Sequence, residues 1–144
     1  MTRSTPHPWL FRLVVLLCLA GASACAPSLK VRVESAAGSN GGRPFYFMVR
    51  SVDANQFLAE DYEGAAGRVF KFPADPSVLG SETIFPGSPS GLTVDTEDGK
   101  DVIVYFFFTQ PGQKWKVPLH RPLPSEVVVE LGRNQIKRVL VRKR

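Results

Sequence analysis

The run from residue 102 to residue 108 reads Val-Ile-Val-Tyr-Phe-Phe-Phe and is apolar at every position. Neighbouring side chains of a β-strand point to opposite faces of its sheet, so a strand with this sequence needs protein packed against both faces. The run therefore predicts a central strand, covered on both sides, in a sheet that has further strands beside it.

Other segments show the alternation of apolar and charged residues that is typical of half-buried strands, most clearly residues 29–34 (Leu-Lys-Val-Arg-Val-Glu). Clusters of Pro and Gly separate these segments from one another. Residues 36–43 are all small, polar or turn-forming apart from Arg43, and they predict an exposed loop. The predicted strands cover residues 29–34, 44–52, 81–85, 92–96, 101–108, 115–119, 125–131 and 136–141. Several short strands at this spacing favour an all-β, two-sheet β-sandwich over an open sheet.

One segment departs from the strand pattern. In residues 53–66, Phe57, Leu58 and Tyr62 recur near a helical period among Ala and Glu residues, and Asp53 is suited to cap a first helical turn. The pattern predicts a short helical insertion after the second strand.

Residues 1–24 have the order of a secretory signal. Arg3 and Arg12 precede an apolar run at residues 13–20, and small residues follow at residues 21–24. The apolar run is well short of the ~20 residues that a membrane-spanning helix needs. We therefore expect residues 1–24 to be removed on export, and with them two Arg, which lowers the formal net charge from +5 to +3.

The residue after the small run is Cys25. Residues 22–25 (Ala-Ser-Ala-Cys) resemble the lipobox of bacterial lipoproteins, in which this Cys is acylated and becomes the first mature residue. The alternative is a cut after Ala24 that leaves Cys25 as an unpaired thiol, which is unusual in an oxidising compartment. Acylation predicts a stable membrane anchor at Cys25. The expected domains are then a signal at residues 1–24, an acylated tether at 25–28 and a folded domain at 29–144.

Motifs that would support catalysis are missing. His120 stands without the Cys, His or carboxylate neighbours of a zinc site, and residues 87–91 resemble a nucleophile elbow but carry Pro89 where the Ser would stand. The acidic residues between 95 and 101 lack the spacing of a calcium loop, so an ordinary solvated hairpin is the preferred interpretation. We expect no enzyme activity, no catalytic residue, no metal site and no cofactor.

Basic residues crowd the C-terminus: Lys137, Arg138, Arg142, Lys143 and Arg144. A cluster of this kind can attract nucleic acid or anionic lipid. An exported protein meets lipid headgroups more readily than nucleic acid, so we interpret the tail as a solvated end or a weak surface contact. No nucleic-acid partner is expected.

The order of segments behind the lipobox resembles a known family. A Gly- and Asn-containing loop ends in Gly42-Arg43-Pro44, and a strand follows at residues 45–52. Further along are residues 55–62 (Asn-Gln-Phe-Leu-Ala-Glu-Asp-Tyr), 82–87 (Glu-Thr-Ile-Phe-Pro-Gly) and 115–119 (Trp-Lys-Val-Pro-Leu). Over nearly the whole mature chain, this order is similar to the outer-membrane lipoprotein of type VI secretion systems, the TssJ/SciN family.

The resemblance implies a transthyretin-like β-sandwich, held by the acyl groups of Cys25 in the inner leaflet of the outer membrane and facing the periplasm. Family members bind the periplasmic domain of the inner-membrane protein TssM and so help to link the two membranes. Ala26 fits delivery to the outer membrane, because it stands where an acidic residue marks retention in the inner membrane. In the family, the loop between the first two strands is a principal contact for TssM. The residues of this chain at that position are Ala37, Gly38, Ser39, Asn40, Gly41, Gly42 and Arg43.

Two classes of function therefore remain open. The first is the structural lipoprotein of a secretion complex, and the second is a ligand-binding lipoprotein that holds a glycan or peptide on exposed aromatic residues such as Tyr46, Tyr62 or Trp115. Buried aromatic residues and a protruding loop at residues 36–43 would favour the first. An exposed aromatic pair on one face would favour the second.

Overall fold

A computed structural model describes residues 27–53 and 56–142 of the chain. The strands are β1 (Ser28–Ser35), β2 (Phe45–Val52), β3 (Val78–Ile84), β4 (Ser90–Asp95), β5 (Asp101–Phe107), β6 (Lys116–Leu119), β7 (Glu126–Leu131) and β8 (Ile136–Arg142). They form two four-stranded sheets, with the order β4-β1-β7-β8 in the first sheet and β3-β2-β5-β6 in the second. The predicted two-sheet β-sandwich is confirmed, and each predicted strand overlaps an observed one.

The pairing within the sheets is antiparallel except between β1 and β7, which run parallel. Because β1 and β2 belong to different sheets, the segment between them crosses from one sheet to the other at one end of the sandwich. The segment between β3 and β4 makes the same crossing. The loops that cross between the two sheets therefore lie at the ends of the sandwich.

Strand β5 confirms the prediction of a strand covered on both faces. It lies between β2 and β6, and Val104 and Phe106 point into the core between the two sheets. Ile103 and Tyr105 point to the other side, where they belong to a second apolar cluster with Met48 of β2. All four of these β5 side chains are completely buried.

Strand β1 confirms the period-two pattern at the other sheet. Leu29, Val31 and Val33 are buried in the core between the sheets, whereas the charged residues between them are exposed. Burial of such side chains contributes about 1.5–3 kcal/mol each relative to exposure, which makes this core the main source of stability. The outer face of the first sheet is correspondingly charged.

The helical insertion after β2 is confirmed, but its predicted extent and cap are wrong. Residues Gln56–Leu58 form a 3₁₀ turn, and helix α1 covers only Tyr62–Gly67. The cap is Asp61 and not Asp53, because the Asp61 side chain accepts a hydrogen bond from the Gly64 N–H at 2.7 Å. Gly64 leaves room for this cap, since a Cβ at that position would lie 2.8 Å from Asp61 Oδ1.

The predicted signal at residues 1–24, the predicted acylation site Cys25 and the last two residues of the basic tail lie outside the described residues. Within residues 27–53 and 56–142, no helix has the length and hydrophobicity needed to cross a bilayer.

Candidate functional site

The predicted partner loop lies at one end of the sandwich, which we name the Asn40 end. It connects β1 to β2, and we call residues 36–43 the distal loop. The turn between β3 and β4 packs beside it, because the Gly87 N–H donates a hydrogen bond to the Ser35 carbonyl at 3.2 Å. A Cβ at Gly87 would lie only 3.4 Å from the Ala37 Cα, so the two segments are in close contact.

Asn40 holds the distal loop in place. Its side chain accepts a hydrogen bond from the Thr109 N–H at 2.7 Å and donates one to the Arg43 carbonyl at 3.0 Å. Its own N–H donates to the Arg133 carbonyl at 2.6 Å. The distal loop is therefore bonded to the β5–β6 loop and to the β7–β8 turn, and these connections fix its shape.

The backbone at this point needs the residue types that the sequence supplies. Asn40, Gly41 and Gly42 have φ values of 52°, 64° and 76°. This left-handed region is strained for most residues but is accessible to Gly and tolerated by Asn. The sequence Asn-Gly-Gly is thus required by the loop conformation itself.

The distal loop is less exposed than predicted. Ser39 and Asn40 are buried, at 1% and 7% exposure, and the hydrogen bonds of Asn40 hold it against the neighbouring loops. Five of the seven predicted partner residues are exposed: Ala37, Gly38, Gly41, Gly42 and Arg43. These five residues and the exposed Ala36 form the surface that the distal loop offers to a partner, and Asn40 supports it from beneath.

A groove of about 510 Å³ runs beside the distal loop, between Gly38 and Gly41 on one side and the β7–β8 turn on the other. Its lining includes Arg133 and Lys137, which are exposed. Together with Arg43 they make no ion pair with another described residue. Three cations near exposed loop backbone suit a partner that presents carbonyl or carboxylate oxygens.

The opposite end of the sandwich is where β1 begins, and we name it the Pro27 end. The Pro27 carbonyl accepts two hydrogen bonds from Thr96, one from its N–H at 2.8 Å and one from its hydroxyl at 2.7 Å. Thr96 is buried, so this pair of bonds is sheltered from water. The point at which the chain enters the sandwich is therefore fixed.

A cavity of about 620 Å³ opens beside Pro27, and we call it the proline pocket. Its lining is Pro27, Ser28, Thr96, Pro118, Leu119, His120, Arg121, Pro122, Leu123, Pro124 and Val141. The β6–β7 loop forms one wall and is attached to Asp101, whose carboxylate lies 2.7 Å from His120 Nδ1 and accepts a hydrogen bond from the Arg121 N–H at 3.2 Å. The bond to His120, followed by that to the Arg121 N–H, lowers the pKa of Asp101.

A buried polar network attaches the insertion to the outer face of the second sheet. The Glu60 carboxylate contacts Arg50 and the Tyr105 hydroxyl, and Arg68 Nε lies 3.0 Å from Glu60 Oε1. Arg68 also pairs with Asp75 at 2.5 Å. We call this set the Glu60 network.

The charges of the Glu60 network are matched within it. Hydrogen bonds from the Ser77 hydroxyl and N–H, followed by Arg68, hold the pKa of Asp75 well below its ordinary value. Burial, followed by the neighbouring Glu60 carboxylate, raises the pKa of Tyr105. Burying an unpaired charge is costly, and each of these groups has a partner. The network therefore holds the insertion against the second sheet.

The three aromatic residues proposed for ligand binding separate into two groups. Tyr62 and Trp115 are half-buried and pack edge to face, with ring centroids 5.0 Å apart. The Tyr62 hydroxyl donates to the Phe108 carbonyl at 2.5 Å, and burial raises the pKa of Tyr62 to about 12. Tyr46 is different, because it is 39% exposed and contacts the exposed Phe70 edge to face at 5.0 Å.

The remaining motifs have ordinary structural surroundings. Residues 87–91 lie in the turn before β4 and at its start, and Lys100 pairs with Glu97 at 3.0 Å in the acidic hairpin. In the described part of the chain, no three His, Cys, Asp or Glu side chains come together in a way that could hold a metal ion.

Sequence reasoning did not identify the structural roles of three residues: Asn40, which it named only as part of the partner loop, Thr96 and Glu60. A signal was present only for Asn40, because Asn followed by two Gly residues is typical of left-handed backbone. Thr96 and Glu60 act through residues far away in the sequence, and no local pattern reveals such contacts.

Comparison with known proteins gives a family and a fold. The sequence model of the family described as IglE, N-terminal domain, matches residues 46–131, which is more than half of the chain. A search of curated proteins finds no match.

Three solved structures illustrate the fold. The type VI secretion lipoprotein TssJ1 from Pseudomonas aeruginosa is similar with a TM-score of 0.63 at 11% identity, over 83% of this chain and 98% of that one. Serratia marcescens Lip, a membrane-bound component of the type VI secretion system, gives a TM-score of 0.62 at 16% identity, over 79% of this chain and 97% of Lip. A chain from a structure described as the TssM C-terminal domain from EAEC gives a TM-score of 0.62 at 16% identity, over 78% of this chain and 97% of that one. The sandwich is therefore of the same fold as these proteins.

Proposed function

The chain belongs to the IglE N-terminal domain family, and we propose that it is a structural lipoprotein of the trans-envelope complex of a type VI secretion system. In this proposal, acylated Cys25 anchors it in the outer membrane, with the domain facing the periplasm. The exposed part of the distal loop binds the periplasmic domain of TssM. The role needs no catalytic residue, so we propose no enzymatic activity.

The observation that carries the proposal is that β1 runs from the Pro27 end of the sandwich to the Asn40 end. Strand β1 begins one residue after Pro27 and ends at Ser35, directly before the distal loop. Eight extended residues span about 23 Å between the first and last Cα. A lipid attached just before Pro27 therefore places the membrane at one end of the sandwich and leaves the distal loop at the other end, directed away from it.

The comparisons support the same proposal. The family is related to type VI secretion, and similar folds occur in TssJ1 and Lip, both described as type VI secretion components. A similar chain also occurs in a structure described by its TssM C-terminal domain. That association supports TssM as the class of partner.

The partner surface can be tested with a pair of glycine substitutions. A Cβ at Gly38 or at Gly67 meets no heavy atom within 4 Å, and neither residue has the positive φ that strains a side chain. Gly38→Trp adds bulk to the distal loop, while Gly67→Trp adds the same bulk to the insertion. We expect Gly38→Trp to weaken capture of the purified TssM periplasmic domain at least tenfold, which corresponds to about 1.4 kcal/mol.

The control is Gly67→Trp, which should bind TssM like the wild type, and circular dichroism should report the same sandwich in both variants. Equal capture by Gly38→Trp and the wild type would remove the distal loop from the interface.

The second candidate function is a glycan- or peptide-binding lipoprotein, and the exposed Tyr46–Phe70 pair favours it. Under this alternative, the Tyr46→Ala, Phe70→Ala double variant would lose binding to a glycan or peptide array while still capturing TssM. Loss of TssM capture by the same variant would instead assign the pair to the partner interface.

A further inference from the structure

The proline pocket differs chemically from the groove at the Asn40 end. Most of its described lining residues are proline or aliphatic, and no carboxylate is among those described. Four are prolines, Pro27, Pro118, Pro122 and Pro124, and proline has no N–H to present to a polar ligand. A pocket of about 620 Å³ with such walls is in the usual size range for small-molecule sites and is suited to a hydrocarbon.

The pocket is also preformed. Its proline-rich wall is attached by His120 and Arg121 to Asp101, and Arg121 Nε donates a further hydrogen bond to the Lys100 carbonyl at 2.8 Å. Pro27, another lining residue, is fixed by Thr96, which donates to the Pro27 carbonyl. A ligand that enters such a pocket does not need to order the walls first, which favours binding.

The position of Pro27 identifies the occupant. Pro27 lines the pocket, and Cys25 precedes it by only two residues. Two Cα–Cα steps span at most about 7 Å, so the Cys25 that carries the acyl group would lie within that distance of a residue that lines the pocket. An acyl chain attached to Cys25 has a higher effective concentration at the pocket than any free lipid.

We propose that the proline pocket binds one acyl chain of the lipid carried by Cys25. This inference rests on the proposed acylation of Cys25. The seated chain holds the Pro27 end against the leaflet while the other chains remain in the bilayer. The domain would then have a defined orientation, with the distal loop directed into the periplasm.

The test uses cells that express the full chain and are fed a photoactivatable palmitate analogue. After irradiation of the membranes, the purified protein is digested and the cross-linked peptides are identified by mass spectrometry. We expect label on Cys25 and an internal cross-link from its acyl chain to residues 118–124. A phospholipid cross-linked to those residues in place of the protein's own chain would overturn the assignment of the occupant.

Two neighbouring residues of β8 provide a matched pair. Val141 lines the pocket and is 51% exposed, whereas Leu140 is 44% exposed and does not line it. Val141→Arg should reduce the internal cross-link at least tenfold, and Leu140→Arg should leave it unchanged. Both substitutions are at exposed positions, and thermal unfolding checks that both variants are folded.

The outcomes separate the inference from the proposed function. Label on Cys25 without a cross-link to residues 118–124 would contradict the pocket assignment but would agree with the proposed lipoprotein function. Absence of label on Cys25 would contradict the acylation itself, and the pocket assignment would fall with it.

Discussion

The two ends of the sandwich offer opposite kinds of surface. The Pro27 end has an apolar pocket with walls of proline and aliphatic residues. The Asn40 end has a loop with exposed backbone and three nearby cations, Arg43, Arg133 and Lys137. Strand β1 connects the two ends directly, yet the hydrogen bonds that shape each end are separate. Attachment to lipid and attachment to a partner should therefore be separable by single substitutions.

The largest expected effect is the loss of the membrane anchor. Cys25→Ala removes the thiol that we propose to be acylated, so nearly all of the protein should move from the membrane fraction to the soluble fraction. Its capture of the TssM periplasmic domain in solution should remain, because the distal loop is unchanged. Continued sedimentation of this variant with membranes would contradict lipid anchoring through Cys25.

Asn40→Ala should have the next largest effect, at the other end. It leaves the Thr109 N–H without its acceptor. It also places Ala, whose side chain forms no hydrogen bond, at a backbone φ of 52° that its Cβ makes strained. We expect the free energy of unfolding to fall by about 2–3 kcal/mol, measured by urea denaturation, with weaker TssM capture.

Asn40→Gly is the matched variant, because it keeps the accessible positive φ and loses only the side-chain bonds. Its stability should lie between those of Asn40→Ala and the wild type. If both variants are as stable as the wild type, Asn40 does not hold the distal loop.

Thr96→Val is a smaller change at the Pro27 end. It removes the hydroxyl that donates to the Pro27 carbonyl and keeps the N–H bond to the same atom. One lost hydrogen bond corresponds to about 1 kcal/mol of unfolding free energy. TssM capture should not change, and a clear decrease in capture would show that the two ends are coupled.

The smallest expected effect is a pH dependence at the Pro27 end. The pKa of Asp101 is lowered in the folded protein, first by His120, so its ionised form is favoured by folding. The stability that it contributes is present above the ordinary pKa of 3.8 and is lost as the pH falls below that value. The unfolding free energy of Asp101→Asn should therefore fall less than that of the wild type between about pH 5 and pH 3. Parallel decreases in the two proteins would contradict this role for Asp101.

The strands could be predicted from the sequence because burial is periodic along them. Leu29, Val31 and Val33 alternate with charged residues in β1, and the fully apolar run in β5 matches its two covered faces. The helix was misplaced because Asp53 and Asp61 are both suited to cap a helix, and the local pattern does not choose between them. The insertion is also held by Glu60 through contacts with residues distant in sequence.

The candidate surface was predictable in position but not in detail. The loop between the first two strands was predicted to be exposed throughout, because small and polar residues fill it. Ser39 and Asn40 are nevertheless buried, and Asn40 bonds to the β5–β6 loop and the β7–β8 turn, which only the fold brings near. The proline pocket was not predicted for the same reason, because its walls combine residues 27–28, Thr96, residues 118–124 and Val141, which are distant from one another in sequence.

Co-flotation with vesicles tests the central claim, attachment at two opposite ends, most directly. The acylated protein is reconstituted in phospholipid vesicles, mixed with the TssM periplasmic domain and floated through a density gradient. The wild type should rise with the vesicles and carry TssM, Gly38→Trp should rise without TssM, and Cys25→Ala should bind TssM while neither protein rises. Flotation of TssM with Gly38→Trp, or of Cys25→Ala with the vesicles, would contradict the account.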